Sequence, residues 1–241
     1  MEAKVRLYVE QPLGPGQAVA LGPEAANYLF AVMRLGPGDG VRLFNGQAGE
    51  WVARVEDAGK RRGILRVEAQ SGPQVAPADL WLIFSPVKKE RTNFIVEKAV
   101  ELGVARVLPV MTRFTHSERW RQDKQRAHAV EAAEQCGATH VPEVAEVQPL
   151  ERLLGAWPEG RALYWADESL ARGGDVGAAP VPGEAAAILI GPEGGFSEEE
   201  KARLRGLPFV RALRLGPRIL RAETAAVAAI VQWQAAAGDW R

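Results

Sequence analysis

Two stretches near the C-terminus carry residue types that could build a ligand site. The first is a turn at residues 191–195 with the sequence Gly-Pro-Glu-Gly-Gly. An apolar run at residues 188–190 precedes it and is typical of a buried strand. Ser197 followed by Glu200 forms a capping box, which predicts a helix directly after the turn. A strand, a glycine turn and a capped helix are typical of a ligand-binding corner in an α/β sheet.

Glu193, inside this turn, narrows the chemistry of the ligand. A loop that binds phosphate offers bare backbone N–H groups and avoids negative charge. The carboxylate of Glu193 is therefore unfavourable beside a phosphate group. It favours a ligand that carries hydroxyl groups or a positive charge.

The second stretch, residues 215–230, also leads from a strand through a Gly-Pro turn into a helix. Close packing in a core or a dimer explains its many alanines, but it does not explain the polar residues at the start of the helix. These residues are Arg218, Arg221, Glu223 and Thr224. Because ligands of open α/β sheets bind at the carboxyl ends of the strands, we expect the two turns to form one site.

The elements that must position these turns alternate between strand and helix patterns from residue 80 onward. This alternation predicts an α/β fold with a mostly parallel sheet covered by helices on both faces. The predicted strands are residues 80–84, 104–110, 141–144, 163–166, 188–190 and 213–215. The predicted helices are residues 91–102, 120–136, 150–154 and 222–234, together with the helix capped by Ser197.

Residues 1–70 follow a different pattern, in which short strands accompany one helix. We therefore expect a small β-barrel domain, with strands at residues 5–9, 41–44, 50–55 and 63–67 and a helix at residues 24–34. Residues 71–79 contain two prolines and show no periodicity. They are predicted to link this domain to a second domain at residues 80–241.

The composition sets limits on possible partners. The chain has 241 residues, of which 47% are apolar and 25% charged, as is ordinary for a soluble globular protein. Because the formal net charge is zero, any surface for nucleic acid must be local. The loop Lys60-Arg61-Arg62 is either a solvated turn or a contact to a nucleic-acid backbone. We see no signal peptide and no apolar run of membrane length, so we expect a cytoplasmic protein without a membrane partner.

Several motifs of other enzyme classes are absent from the sequence. It has no G-x-G-x-x-G dinucleotide motif, no phosphate-binding P-loop and no G-x-S-x-G nucleophile motif. The three histidines are scattered and Cys136 is the single cysteine, so we expect no disulfide and no metal site. We expect Cys136 to be a small buried residue rather than a nucleophile.

The two turns together resemble the signature of a known family. Residues 191–196, followed by residues 215–225, are similar to the motif pair of the ribosomal small subunit methyltransferase E family, which belongs to the SPOUT class. Position 138 departs from that family, which commonly has a basic residue there, because this chain has Ala138. Three further segments agree with the family, namely residues 32–39, 88–104 and 131–142.

The resemblance implies a fold and an activity. The family transfers a methyl group from S-adenosylmethionine to N3 of a uridine in the decoding region of 16S ribosomal RNA, and we expect the assembled small subunit to be the substrate. It also implies a SPOUT-type parallel sheet with a C-terminal trefoil knot, a PUA-like β-barrel that binds RNA, and a homodimer. The methyl donor carries a sulfonium, an amine and hydroxyl groups but no phosphate, which suits a turn that contains Glu193.

The resemblance also implies which residues bind the methyl donor. One loop consists of Gly191, Pro192, Glu193, Gly194 and Gly195. The other loop contributes Leu215, Gly216, Arg218, Ile219, Leu220, Thr224 and Ala225. Trp165 and Ala166, at the end of a predicted strand, are expected to complete the pocket.

Further residues are candidates for catalysis and for contacts to RNA. Arg218 and Arg221 could stabilise the anion that develops on the uracil. Glu223 is either the base that removes the uracil proton or the partner of an arginine. In the N-terminal domain, the candidates for contacts to the RNA backbone are Arg34, Lys60, Arg61 and Arg62.

Two other functions stay open from the sequence alone. One is an α/β enzyme with a different nucleotide cofactor, although the missing G-x-G-x-x-G motif argues against a dehydrogenase. The other is a non-catalytic protein that binds RNA during ribosome assembly. Binding of S-adenosylmethionine would distinguish a methyltransferase from an enzyme with another nucleotide cofactor. Transfer of the methyl group would distinguish it from a non-catalytic assembly protein.

Overall fold

A computed structural model describes residues 3–116, 120–173 and 177–240. The chain divides into two compact units by its contacts. The first contains Met1–Ala76 and Ala133–Val141, and the second contains Pro77–Ala132 and Pro142–Arg241. All residues predicted to bind the methyl donor lie in the second unit.

The first unit is built on a five-stranded sheet. Its strands are β1 (Val5–Tyr8), β2 (Ala18–Leu21), β3 (Gly40–Phe44), β4 (Glu50–Ala58) and β5 (Gly63–Gly72). They lie in the order β1-β3-β4-β5-β2, in which β1 and β3 are parallel and the other pairs are antiparallel. Strand β2 was not predicted, because its four residues, Ala-Val-Ala-Leu, give too short an alternation. Strand β5 continues to Gly72, so the predicted linker begins inside a strand.

The predicted helix of the first unit has an unusual form. It consists of a short α1 (Pro23–Ala26) that continues as a π-helical turn (Asn27–Val32). The ring of Phe30 in that turn covers Gly63, where any side chain would overlap it. The turn is thereby held against the start of β5.

The second unit is built on a seven-stranded sheet. Its strands are β6 (Leu80–Phe84), β7 (Arg106–Met111), β8 (Glu143–Val144), β9 (Gln148–Pro149), β10 (Ala162–Ala166), β11 (Ala186–Ile190) and β12 (Val210–Leu213). The order is β12-β10-β11-β6-β7-β8, and β9 pairs with β7. Every one of these pairings is parallel, which confirms the predicted sheet. All five residues of β11 are buried between β10 and β6, as a continuous apolar run predicts.

Five helices accompany this sheet. They are α2 (Lys89–Glu101), α3 (Gln122–Cys136), α4 (Leu150–Gly155), α5 (Glu198–Gly206) and α6 (Ala222–Ala237), with a short 3-10 helix at Glu168–Arg172. Helix α6 packs on α2 and on β11. The side-chain amide of Gln234 on α6 donates to the backbone oxygen of Leu102 at 2.6 Å, where α2 ends. Gly103 follows with φ +75°, the left-handed conformation expected directly after a helix.

Two predictions about local structure were wrong. The last strand is Val210–Leu213 and not residues 213–215, because residues 210–213 are the ones that pair in register with Leu163–Ala166 of β10. Leu215 is consequently part of the loop that follows the strand. Cys136 is exposed rather than buried, because it occupies the last position of α3.

Candidate cofactor and active site

The carboxyl ends of β10, β11 and β12 open into one cavity with a volume of about 440 Å³. The structure brings both Gly-Pro turns to this cavity. Arg221 lines it, as do twelve of the fourteen residues assigned to the methyl donor. Those twelve are Ala166, Gly191, Pro192, Glu193, Gly194, Gly195, Leu215, Gly216, Arg218, Ile219, Leu220 and Ala225.

The first turn requires glycine at two positions for different reasons. A Cβ at Gly191 would lie 2.7 Å from the ring of Phe196, which is buried below the turn. Gly195 has φ +70°, which L side chains adopt only with strain, and its N–H donates to the carbonyl of Pro192 at 2.9 Å. The contact between Gly191 and the Phe196 ring, together with the tight turn at Gly195, fixes the shape of the cavity wall.

Trp165 supports this wall from behind rather than lining the cavity. It is 1% exposed, and its ring meets that of Phe196 edge-on with the centroids 5.9 Å apart. Thr224 also does not line the cavity, because it lies exposed on the first turn of α6. Of the fourteen residues assigned to the methyl donor, these are the two that the cavity leaves out.

The predicted capping box at the start of α5 is confirmed. The Ser197 hydroxyl accepts from the backbone N–H of Glu200 at 3.2 Å, and the Glu200 carboxylate accepts from the backbone N–H of Ser197 at 2.8 Å. The other oxygen of that carboxylate accepts from the backbone N–H of Arg113 at 2.8 Å. One glutamate therefore fixes both the end of the glycine turn and the loop that follows β7.

Arg91, on α2, joins the two turns of the site. Its Nη1 lies 2.9 Å from Oε1 of Glu193 in the first turn, and its Nε lies 3.5 Å from Oε1 of Glu223 at the start of α6. From the sequence, Arg91 is recognisable only as the first residue of a predicted helix. No local signal could identify its role, because both partners are more than a hundred residues away along the chain.

The ion pair with Arg91 bears on the two roles considered for Glu223. Its side chain is 17% exposed, and it is not among the residues that line the cavity. Its second oxygen, Oε2, is buried without a hydrogen-bond partner in the described parts of the chain. Of the two roles, the structure provides the arginine partner and gives no contact that would suit a base at the cavity.

Arg218 and Arg221 lie at the cavity as exposed side chains. Between residues 3 and 240, leaving aside 117–119 and 174–176, neither guanidinium has an ion pair or a side-chain hydrogen bond. Two positive charges without a neutralising partner create a favourable place for negative charge to develop.

Six lining residues were not predicted from the sequence, and four of them end a strand or directly follow one. Asp167 and Glu168 come immediately after β10, where the carboxyl-end rule could have identified them. Asp167 is 4% exposed in its side chain, and it accepts from the backbone N–H of Ser169 at 3.0 Å. The other missed residues are Ala171, Ile190, Leu213 and Ala222.

Lys201, on α5, forms an ion pair with Glu168. It lies 3.1 Å from Glu198 and 3.4 Å from Glu168. Hydrogen bonding to Glu198, followed by the charge of Glu168, raises the pKa of Lys201 above its ordinary value. A lysine whose pKa is raised stays protonated near neutral pH, so Lys201 does not suit the role of a base.

The basic residues predicted to contact RNA are all exposed on the first unit. Lys60, Arg61 and Arg62 occupy the turn between β4 and β5, which is closed by a hydrogen bond from Gly59 N–H to the Arg62 carbonyl at 2.9 Å. Arg34 has φ +59°, an uncommon conformation for a residue with a side chain. Among the described residues, none of these four side chains has an ion pair or hydrogen bond.

Two other kinds of feature are absent from residues 3–116, 120–173 and 177–240. No group of three or more His, Cys, Asp or Glu side chains in them could hold a metal ion. No helix in this part of the chain has the length and apolar character to cross a membrane.

The fold and the site together define an α/β protein that has a ligand cavity at the carboxyl edge of its parallel sheet. A β-rich unit precedes that sheet in the chain. A known family, described as an RNA methyltransferase domain, matches residues 74–234, and an RNA methyltransferase PUA domain matches residues 21–68. The chain belongs to this RNA methyltransferase family. Its resemblance to the ribosomal small subunit methyltransferase E family is likewise confirmed.

Relatives that match nearly the whole chain support this assignment. The ribosomal RNA small subunit methyltransferase E of Rickettsia conorii is 27% identical over 230 residues, which cover 94% of this chain and 93% of the relative. The crystal structure of the corresponding Neisseria gonorrhoeae enzyme, bound to S-adenosyl methionine, is 29% identical with a TM-score of 0.88, and the match covers 98% of this chain and 99% of that one.

A second solved structure agrees with the first. It is a putative methyltransferase from Legionella pneumophila in complex with S-adenosyl methionine, 30% identical with a TM-score of 0.87, and the match covers 99% of this chain and 100% of that one. These similarities confirm the SPOUT-type sheet preceded by a PUA domain. The trefoil knot stays a prediction.

Proposed function

We propose that this protein uses S-adenosylmethionine to methylate N3 of a uridine in the decoding region of 16S ribosomal RNA, on the assembled small subunit. The observation that carries the proposal is the meeting of the two signature turns in one cavity of about 440 Å³. That volume is within the range of about 300–1,000 Å³ that is usual for sites of small ligands. The two full-length relatives that contain S-adenosyl methionine support the choice of methyl donor.

The residues of the cavity suit this donor chemically. Gly191, Gly195 and Gly216 bring backbone close to the ligand without side chains, and the carboxylates of Asp167 and Glu168 suit an amine or ribose hydroxyls. When bound, S-adenosylmethionine supplies an electrophilic methyl group on a positively charged sulfur. Residues of both turns, together with Ala166 at the end of β10, would hold it.

Glu193 has a more specific role in this proposal than its charge alone suggested. Its carboxylate is bound to Arg91 at 2.9 Å, so its negative charge is partly neutralised. It lines the cavity and at the same time ties the glycine turn to α2. We therefore infer that Glu193 mainly sets the shape of the turn.

The chain must also make the uracil reactive. A base inside a stacked helix has to leave the stack before an enzyme can reach its ring nitrogen. The neutral imide nitrogen is a poor nucleophile, so its proton must be lost or shared as the new bond forms. Arg218 and Arg221 would stabilise the resulting negative charge, since both are at the cavity without a neutralising partner in the described chain.

The first unit would supply contacts to the RNA backbone. Its exposed basic loop, Lys60-Arg61-Arg62, can neutralise phosphates without first giving up other ion partners. In this proposal residues 1–70 form the RNA-binding domain and residues 80–241 the catalytic domain.

The homodimer and the trefoil knot also belong to the proposal, because the family resemblance implies them. Equilibrium sedimentation would test the dimer.

Replacing Lys60, Arg61 and Arg62 together by alanine is expected to weaken binding to small subunits about tenfold at ~0.15 M salt. Each lost phosphate contact should also reduce the slope of log affinity against log salt by about one unit. Binding measured at several salt concentrations gives both quantities. The affinity for S-adenosylmethionine should not change.

A matched control for this triple variant is Arg66→Ala. Arg66 is exposed on the same unit, but its guanidinium is 2.7 Å from Glu56 and is already neutralised. We expect the control to bind small subunits with the wild-type salt dependence. An unchanged slope in the triple variant would exclude the loop from the RNA contact.

The proposed function itself is tested by transfer of a labelled methyl group. The purified protein is incubated with labelled S-adenosylmethionine and either unmethylated small subunits or naked 16S RNA, and the modified base is then mapped. We expect label at N3 of a uridine, with small subunits as the better substrate. Label on another base or on protein would refute the specific reaction. Binding of the donor without any transfer would favour the assembly-factor alternative.

A further inference from the structure

Phe114, on the loop after β7, lies directly against the cofactor turn. A Cβ added at Gly194 would be 3.1 Å from Cβ of Phe114 and 3.7 Å from its Cγ. Gly194 does not have a positive φ, so the nearness of Phe114, and not the backbone conformation, disfavours a side chain there. Gly194 lines the cavity, whereas Phe114 lies next to Gly194 without lining the cavity itself.

The ring is nevertheless exposed. Phe114 is 39% accessible, so part of its ring is free to contact another molecule. An exposed aromatic face close to a ligand site provides a surface on which a flat ring can stack.

The backbone on both sides of Phe114 is fixed. Before it, the N–H of Arg113 donates to Glu200 at 2.8 Å. After it, the Thr115 hydroxyl accepts from the Thr112 N–H at 2.8 Å and forms a hydrogen bond of 2.5 Å with the hydroxyl of Ser85, which is fully buried. An aromatic ring on such a fixed backbone loses little further freedom when a ligand contacts it.

We propose that Phe114 is the surface on which the target uracil stacks after it leaves the RNA. A base taken out of its stack needs a new partner, and enzymes that flip bases commonly provide an aromatic or apolar side chain. A base stacked on Phe114 would be next to Gly194, which lines the cavity proposed for the methyl donor. The inference rests on the proposed function, because it assumes that a base is the substrate. Since stacking tolerates any base, Phe114 positions the ring and does not select uracil.

The test compares four variants of the full-length protein. Phe114→Ala removes the ring, Phe114→Leu keeps apolar bulk without a flat face, and Phe114→Trp restores a flat face. Trp240→Ala is the control, because Trp240 is an exposed aromatic residue of the same unit that does not line the cavity. Methyl transfer to small subunits gives kcat and KM, calorimetry gives the Kd for S-adenosylmethionine, and thermal unfolding checks the fold.

We expect Phe114→Ala to lower kcat/KM for small subunits by about 10- to 100-fold, the effect of losing one base–aromatic stack. Phe114→Leu should lose nearly as much, whereas Phe114→Trp should stay within about threefold of the wild type. The Kd for S-adenosylmethionine should change by less than about twofold in every variant. Trp240→Ala should behave as the wild type.

Three results would overturn the inference. Wild-type kcat/KM in Phe114→Ala would show that no stack forms. Wild-type behaviour of Phe114→Leu would show that apolar bulk is enough. A parallel loss of affinity for S-adenosylmethionine would show that Phe114 only supports the Gly194 turn.

If the wild-type protein itself transfers no methyl group, the proposed function fails, and the inference fails with it. An active wild type with an unaffected Phe114→Ala refutes only the inference.

Discussion

Replacing Arg221 by alanine is expected to slow methyl transfer about a hundredfold, the typical cost of removing one group that stabilises transition-state charge. The Kd for S-adenosylmethionine should stay within about twofold of the wild-type value. The expectation follows from the position of the guanidinium, which is exposed at the cavity and has no neutralising partner in the described chain. Single-turnover rates and calorimetry with the methyl donor measure the two quantities separately.

The fold should tolerate this change. Arg221 is the N-cap residue of α6, but its side chain makes no capping hydrogen bond there. Its backbone carbonyl accepts from the N–H of Ala225 at 2.8 Å, and alanine retains that bond. Loss of activity can therefore be assigned to the missing charge rather than to unfolding of the helix.

Two further variants make the result specific. Arg221→Lys keeps the charge but not the planar guanidinium, so we expect an intermediate rate. Arg152→Ala removes an exposed arginine of α4 that does not line the cavity, and it should leave the rate unchanged. If Arg221→Ala lowered the rate and the affinity for the methyl donor equally, Arg221 would be a residue of the donor site only.

Replacing Arg91 by methionine should lower the free energy of unfolding by about 1–2 kcal/mol, between the values typical of exposed and buried ion pairs. Methionine keeps most of the apolar stem but leaves Glu223 without its cation, although that side chain is only 17% exposed. It also releases Glu193 from α2. Because the two turns then lose their common partner, we expect affinity for S-adenosylmethionine to fall about tenfold, or about 1.4 kcal/mol.

A second substitution separates charge from packing. Adding Glu223→Gln to the Arg91→Met variant removes the uncompensated charge, so most of the lost stability should return. Adding Glu193→Gln should restore less, because Glu193 is 41% exposed and is already well solvated. Urea unfolding of the single and double variants measures the coupling. Additive losses for Arg91→Met and Glu223→Gln would show that the ion pair contributes nothing.

The sequence was informative wherever a structural rule acts over neighbouring residues. The parallel sheet followed from alternating strand and helix patterns, and the start of α5 followed from Ser197 and Glu200. Both turns could be placed at the same edge of the sheet, because strands of a parallel sheet end on one side. Asp167 and Glu168 were within reach of this same rule, and they were missed only because the predicted site stopped at Ala166.

What the sequence could not show depends on contacts between distant residues. The role of Arg91 requires knowing that α2 lies beside both the glycine turn and α6. The choice between the two roles of Glu223 needs the same knowledge. Phe114 gave no signal either, because only the folded chain shows that Gly194 lies against it. Strand β12 was misplaced because its bounds are set by pairing with β10, which lies much earlier in the chain.

The contacts between α2 and α6 have a consequence for the electric field at the cavity. The two helices start side by side, where Arg91 meets Glu223, and they end side by side, where Gln234 binds the carbonyl of Leu102. They therefore run parallel, and both amino ends face the turns of the site. Each helix carries a partial positive charge of roughly half a unit at its amino end. The two aligned dipoles thus add to the charges of Arg218 and Arg221 and favour the development of negative charge at this end of the sheet.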